Sequence, residues 1–382
     1  MDFGDKEYTN YFVKFGYSEE GSQSFVKNTF NNIFYGEDRF YHEIDGDMAY
    51  FEDTGNNDAR TEGMSYAMMM CVQMDKRAEF DKLWEFAMTY MYMDSGINAG
   101  YFAWSVSVNG EKNAYGPAPD GEEYFAMALF FASHRWGDGE GIYDYSHMAK
   151  EILHTCIHKG EDGEGRAMWD PSNHLIRFIP EVDFTDPSYH LPHFYYLFSL
   201  WAYEEDREFW NQATLASIEY LEKACNPSTG LSAEYSSFDG RPYLLNKEQF
   251  GRHDWYYSDA YRTIANIALN YEWFSKGTVF GGWSSFIADK LQKFFCDTCG
   301  ELDDNIYLTD GTILPEKALH PIAITAVNAE ASIASASVDG RYSKECISKL
   351  WNTPMRTGNR RYYDNCLYMF AVLALSGNYR IY

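Results

Sequence analysis

The sequence predicts an all-α fold, an (α/α)6 barrel of six helical hairpins with an inner and an outer ring of six helices. Three observations predict it. Apolar residues recur with a period near 3.6 in twelve segments, about one per 32 residues of the 382-residue chain. The segments alternate in kind: even-numbered ones are apolar on nearly all sides and odd-numbered ones are half polar, the patterns of buried and half-buried helices. No convincing period-two alternation competes, although the long connections have room for short hairpins. A pile of unrelated helical bundles would not keep so regular a beat. Identity between the hairpins is negligible, so the repeat is structural only, and one domain covering 1–382 is expected.

In order, Ser22–Phe34 carries Phe25, Val26, Thr29, Phe30, Ile33 and Phe34 on one face. Glu62–Asp75 is apolar nearly all round, whereas Ala78–Tyr92 is amphipathic through Phe80, Leu83, Trp84, Ala87 and Met91. Asp120–His134 is again apolar on most sides and Tyr145–Ile157 amphipathic. Ser188–Tyr203 is rich in aromatics; Asp206–Cys225 is amphipathic, with Asp206 expected as N-cap and Pro227 just past its end. Tyr257–Phe274 is largely apolar and Ser284–Phe295 amphipathic. Ile322–Ala336 is small and apolar, Ser343–Trp351 amphipathic, and Tyr363–Ser376 apolar before Gly377.

The net charge of −26, from 57 acidic and 31 basic residues, argues against nucleic acid or an anionic membrane as partner. No run of about 18 apolar residues is present to span a bilayer. The start, Met1 to Asp5, has neither the basic nor the apolar region of a signal peptide. Seven cysteines at irregular spacings do not form a disulfide framework, and Cys296-Asp297-Thr298-Cys299 is a solitary CxxC without a second pair. A soluble, cytoplasmic protein is expected. Aromatics make up 18% of the chain; packing explains part of this, and Tyr and Trp also suit sugar rings, which stack their C–H faces and hydrogen-bond their hydroxyls.

In a barrel of this kind the inner helices all start at one end, and the polar residues gather at those starts. Glu62 opens the second segment within Arg60-Thr61-Glu62-Gly63-Met64-Ser65-Tyr66, where small Thr61 and Gly63 are expected to let a ligand approach. A carboxylate beside so much apolar surface is costly unless it is satisfied or used. Asp120 opens the fourth segment, and Asp259 the eighth within Tyr257-Ser258-Asp259-Ala260-Tyr261-Arg262. Tyr189 to Tyr195, His320 and Tyr362-Tyr363-Asp364 stand at other starts. Asp and Ser are also plain helix caps; it is their convergence on one rim that marks a candidate site.

Thr61-Glu62-Gly63-Met64-Ser65-Tyr66 resembles the acid-bearing motif of glycoside hydrolase family 8, and Ala118-Pro119-Asp120-Gly121-Glu122 through Ala126 resembles its signature block. Asp186-Pro187-Ser188-Tyr189 with Pro192 and Tyr195, and Asp259-Ala260-Tyr261-Arg262, resemble two further blocks in the same order. The likeness covers essentially the whole chain. One departure is that Pro119 and Glu122 stand where the signature usually has Ser or Thr and Asp. Within the family, Arg60–Met70, Tyr101–Trp104, Gly116–Gly137, Asp186–Tyr195, Leu319-His320-Pro321 and Arg356–Asn365 look like the reducing-end-xylose-releasing exo-oligoxylanases. In that subgroup the loop carrying Leu-His-Pro closes one end of the cleft and admits only a short reducing end.

The resemblance implies an inverting hydrolase that releases xylose from the reducing end of β-1,4-xylo-oligosaccharides. One carboxylic acid protonates the leaving oxygen and one carboxylate activates water on the other face, roughly 6.5–9.5 Å away. Glu62 matches the general acid; a helix start lowers its pKa, so burial and the charge of Asp120 must raise it, and the two should titrate as a pair. Asp259 matches the general base, with Arg262 one turn along as counter-charge. Asp120 would hold the central sugar in a distorted ring, and Tyr195 would position the water, with Tyr189 as the substitute. Trp104 would stack on a sugar, His320 would hydrogen-bond the reducing-end hydroxyl, and Tyr362 and Tyr363 would line the rim.

Neither metal nor cofactor is expected: His190 and His193 lack a carboxylate at ligand spacing, and no phosphate loop or Ser or Cys nucleophile motif is present. The competing readings are an endo-acting β-1,4-xylanase or glucanase on the same barrel, and a catalytically silent oligosaccharide-binding barrel. The oligomeric state is not legible in the sequence.

Overall fold

Twelve helices of ten or more residues form among the described residues, and apolar pattern and caps decide where each begins. The computed structural model describes residues 3–4, 6–44, 46–161, 163–244, 252–335 and 340–382. The helices are α1 (Glu19–Tyr35), α2 (Thr61–Gln73), α3 (Arg77–Phe86), α4 (Pro119–Trp136), α5 (Tyr145–His158), α6 (Pro192–Trp201), α7 (Arg207–Ala224), α8 (Tyr261–Asn270), α9 (Val279–Lys293), α10 (Pro321–Glu330), α11 (Arg341–Asn352) and α12 (Arg361–Leu375).

The even-numbered helices close a ring. In sequence each packs on the next, α2 on α4, then α6, α8, α10 and α12, and α12 returns to α2. Each also packs on an odd-numbered helix outside it. Every residue of α2 except Glu62 is buried, as are the first fourteen of α4. Amphipathic α11 buries only Ser343, Cys346, Ile347 and Leu350. The molecule is the (α/α)6 barrel that the alternation predicted. Large apolar side chains of the inner helices, such as Phe125, Leu129 and Phe194, are fully buried; burying each contributes roughly 1.5–3 kcal/mol.

Caps moved several boundaries. Ser18 accepts the Gly21 N–H at 3.0 Å and starts α1 before Ser22; Thr278 does the same for Gly281 and starts α9 before Ser284. Pro192 takes the first turn of α6, where its missing N–H costs nothing, so Pro187–Tyr189 forms a separate short turn instead of the helix start expected at Ser188. The expected cap Asp206 makes no cap bond: its carboxylate is taken by His154 and His158. Helix α10 ends at Glu330, followed by a short turn over Ser332–Ser335; Ala336, the expected end, lies outside the described residues.

The connections hold two small antiparallel sheets that the pattern did not resolve. One joins β1 (Tyr41–Ile44), β2 (Met48–Asp53), β3 (Asp58–Arg60) and β4 (Ser105–Ser107); the other joins β5 (Trp255–Tyr256), β6 (Asn305–Leu308) and β7 (Ile313–Lys317). Strand β2 does alternate, burying Ala49, Phe51 and Asp53. Its buried acid masks the signal, because Asp53 faces in to meet Arg60 at 3.1 Å. Among the described residues no helix is long and apolar enough to cross a membrane.

Candidate active site

The N-terminal ends of all six inner helices open on one cleft of about 550 Å³. Its lining takes Thr61 and Glu62 from α2, Asp120 from α4, Tyr189 from the turn before α6, Asp259 before α8, His320 before α10, and Tyr362 and Tyr363 from α12. Trp104 and Leu319 also line it. Because the inner helices run parallel, every one delivers its first turn to the same end.

One buried guanidinium organises the acids. Arg262 Nη1 donates to Asp120 Oδ2 at 2.8 Å, to Tyr66 OH at 2.7 Å and to Glu62 Oε2 at 3.3 Å. Its Nη2 faces Asp259 Oδ1 at 3.2 Å as an ion pair rather than an aligned hydrogen bond. Glu62 and Asp259 thus flank a single planar group, which places them no farther apart than the roughly 6.5–9.5 Å that leaves room for a water. Ser258, just before Asp259, sits at φ 45°, a left-handed conformation costly for a residue with a side chain. That strain is held where the chain turns Asp259 into the cleft.

The electrostatics separate the acids. Burial pushes Glu62 up to about 8; Arg262 opposes this, and the charges of Asp120 and Asp259 add to it. Burial also raises Asp120, against Arg262. Tyr362 OH donates to Glu62 Oε1 at 2.8 Å. A Cβ on Gly63 would lie 2.5 Å from that hydroxyl, so the glycine makes room for Tyr362 and not, as the sequence suggested, for a ligand. Asp259 keeps 27% of its side chain exposed, against 8% for Asp120, so Asp259 is the acid open to water.

Of the other predicted residues, Trp104 lies under Arg60, 5.1 Å from the ring centroid, and lines the cleft. Tyr363 OH donates to Ser258 O at 3.2 Å. His320 Nδ1 is 2.9 Å from Asp364 Oδ2, which also takes Arg356; Asp364 Oδ1 accepts the N–H groups of Ile322 and Ala323 at 2.9 Å and so caps α10. Arg356 donates as well to Leu319 O, pinning the loop.

Tyr195 is not brought to the cleft. It is fully buried, its hydroxyl against Glu123 and 2.8 Å from Tyr189 O. Burial holds the Glu123 carboxyl far above its usual range, against the hydrogen bond that Tyr195 OH donates to its Oε1. With the helix expected to start at Ser188, the sequence favours Tyr195 and keeps Tyr189 as the substitute. Pro192 puts Tyr189 on the turn that faces the cleft and Tyr195 in the packed first turn of α6. Glu122 is also away from the cleft; its Oε1 accepts the Phe102 N–H at 3.0 Å, steadying the segment that leads to Trp104. His190 lies between Thr185 and Ser217 hydroxyls at 2.9 Å, and burial pushes both His190 and His193 down to about 3.

Sequence reasoning missed Tyr66, Glu123, Arg356 and Arg60 at or behind the site. Only Tyr66 and Arg60 carried a signal, by flanking Glu62.

The family model for Glycosyl hydrolases family 8 matches residues 41–377. The chain belongs to this family. It is 55% identical over 100% of its length, and 96% of the relative's, to the reducing end xylose-releasing exo-oligoxylanase of Halalkalibacterium halodurans. It is 52% identical to the reducing-end xylose-releasing exo-oligoxylanase Rex8A of Paenibacillus barcinonensis, over 98% of this chain and 97% of the relative. The solved structure of Rex8A complexed with xylose superposes with a TM-score of 0.95 at 50% identity, covering 100% of this chain and 99% of that one. In this family-8 chain the acids of three sequence blocks meet on one arginine.

Proposed function

We propose that this family-8 enzyme is an inverting exo-oligoxylanase that releases xylose from the reducing end of β-1,4-xylo-oligosaccharides, with 1–382 as one catalytic barrel. The observation that carries the reading is the pairing of a carboxyl raised to about 8 with a water-accessible carboxylate across Arg262. Glu62, protonated at neutral pH, gives its proton to the glycosidic oxygen. Asp259 takes a proton from water, which attacks the opposite face of the sugar. Tyr189, on the cleft turn and 5.5 Å from the Arg262 guanidinium, takes the water-positioning role first given to Tyr195. Asp120 binds hydroxyls of the distorted central sugar, and Trp104 stacks on a neighbouring ring. Leu319 and His320, pinned through Arg356 and Asp364, form the wall that limits the reducing-end side to one xylose. All seven thiols are free, in keeping with a reducing compartment, and we place the enzyme in the cytoplasm.

Product analysis tests this. Xylotriose should give xylose and xylobiose, with no loss of viscosity from long xylan. Viscosity loss favours endo cleavage, and no products from either favours a silent binder. Asp259→Ala should nearly abolish turnover with the fold intact; near-normal rates would show the base to be another group. Shortening the segment around Leu319 to Pro321 should let longer reducing ends bind, read as xylobiose in place of xylose and xylotriose from the first cut of xylotetraose. An unchanged product pattern would count against the wall.

A further inference from the structure

Outside the cleft, one cluster has the chemistry of a metal site. His154 and His158 stand four residues apart on one face of α5. Asp206, only 1% exposed at the start of α7, reaches both: Oδ2 lies 2.8 Å from His154 Nδ1 and Oδ1 lies 2.7 Å from His158 Nε2. One ligand atom from each of the three residues falls within 4.8 Å of the others. The histidine side chains keep 43% and 34% exposure, so an ion has an entry path.

The partners of His158 make the case specific. Its Nδ1 is 2.9 Å from Glu161 Oε1, an acceptor that fixes Nδ1 as the protonated nitrogen. Its other nitrogen then faces a second carboxylate. Two acceptors cannot flank a neutral imidazole comfortably: either the ring carries a second proton, or a cation takes that proton's place between Nε2 and Asp206. A carboxylate behind a ligating histidine is also the arrangement that orients metal-bound imidazoles. Two imidazoles and a carboxylate suit Zn²⁺ and its neighbours rather than Mg²⁺ or Ca²⁺.

We propose that His154, His158 and Asp206 bind one Zn²⁺-class ion, with Glu161 orienting His158, as a staple between outer helices α5 and α7. The ion forms bonds to His154 Nδ1, His158 Nε2 and a carboxylate oxygen, with water completing the tetrahedron. The protons between these nitrogens and Asp206 leave to solvent. Each nitrogen now lies 2.7–2.8 Å from an Asp206 oxygen, and the three donors are already within 4.8 Å of one another. These pairs need only spread slightly to take an ion at bonds of roughly 2.0–2.2 Å. None of the three residues lines the cleft, so the ion acts on the scaffold and not on the chemistry.

The test is calorimetric titration of chelator-treated full chain with ZnCl₂. One ion per chain is expected, with proton release and a raised melting temperature. The variants are placed at the partly exposed histidines because Asp206 is buried. H154A/H158A should keep the fold and the rate of xylose release but lose the one-ion stoichiometry. Glu161→Gln should weaken Zn²⁺ roughly 10–100-fold. The proposal fails if the unaltered chain binds no Zn²⁺, or if the double variant binds it with the same stoichiometry and affinity.

Discussion

Glu62→Ala should lower kcat on xylotriose by roughly 10²–10⁴-fold, the contribution of a positioned general acid. The same variant should cleave xylobiosyl fluoride at close to the unaltered rate, since fluoride leaves without needing a proton from the enzyme. Equal loss on both substrates would show that Glu62 supports the cleft and does not supply the proton. The pH profile gives a second check. A general acid works only while protonated, so kcat/KM should fall as pH rises through about 8, the value to which burial pushes Glu62. Asp120 adds to that rise, so Asp120→Asn should move the alkaline limb of the residual activity to lower pH. An unmoved limb would assign it to another group.

Arg262→Met should be the most destabilising single change in the cleft. The guanidinium keeps only 6% side-chain exposure and meets Glu62, Asp120 and Asp259. Removing it leaves three acids in a poorly solvated site without their counter-ion, and breaking a buried pair costs about 3–5 kcal/mol. The loss should depend on pH with a definite sign. Glu62 and Asp120 already have folded pKa values above their ordinary ones, and loss of the cation raises them further. Stability contributed by such groups is present at low pH and lost as pH rises through the folded pKa. Urea unfolding should therefore show a larger deficit at pH 8 than at pH 5. A deficit under about 1 kcal/mol at both would mean that the acids are held apart by something other than Arg262.

The three acids and Arg262 were legible because each stands at the start of an apolar helix, where a charge is conspicuous. His320 was legible by its Leu-His-Pro setting, and Trp104 by its aromatic neighbours. The sequence put Tyr195 ahead of Tyr189, although both are aromatic and only the helix start at Pro192 separates turn from helix. The residues behind the site, Arg356 on Leu319 and Glu123 on Tyr195, lie 37 and 72 positions from their partners; no local pattern records a contact of that kind. The short strands escaped because a strand of two to six residues with an inward-facing acid has too little alternation to read.

The chain order of its residues alone determined the twelve helices, their division into buried and half-buried kinds, and the placing of Glu62, Asp120 and Asp259 at helix starts, because periodicity and capping are properties of neighbours in the chain. Closure of the ring decided the rest. It set all six helix starts around one cleft, laid Arg262 between acids up to two hundred positions away, and turned Tyr189 in and Tyr195 out. It also joined Asp206 to a pair of histidines on another helix. Burial and charge at each of these places come from residues distant in sequence, and they take effect only once the fold has brought those residues together.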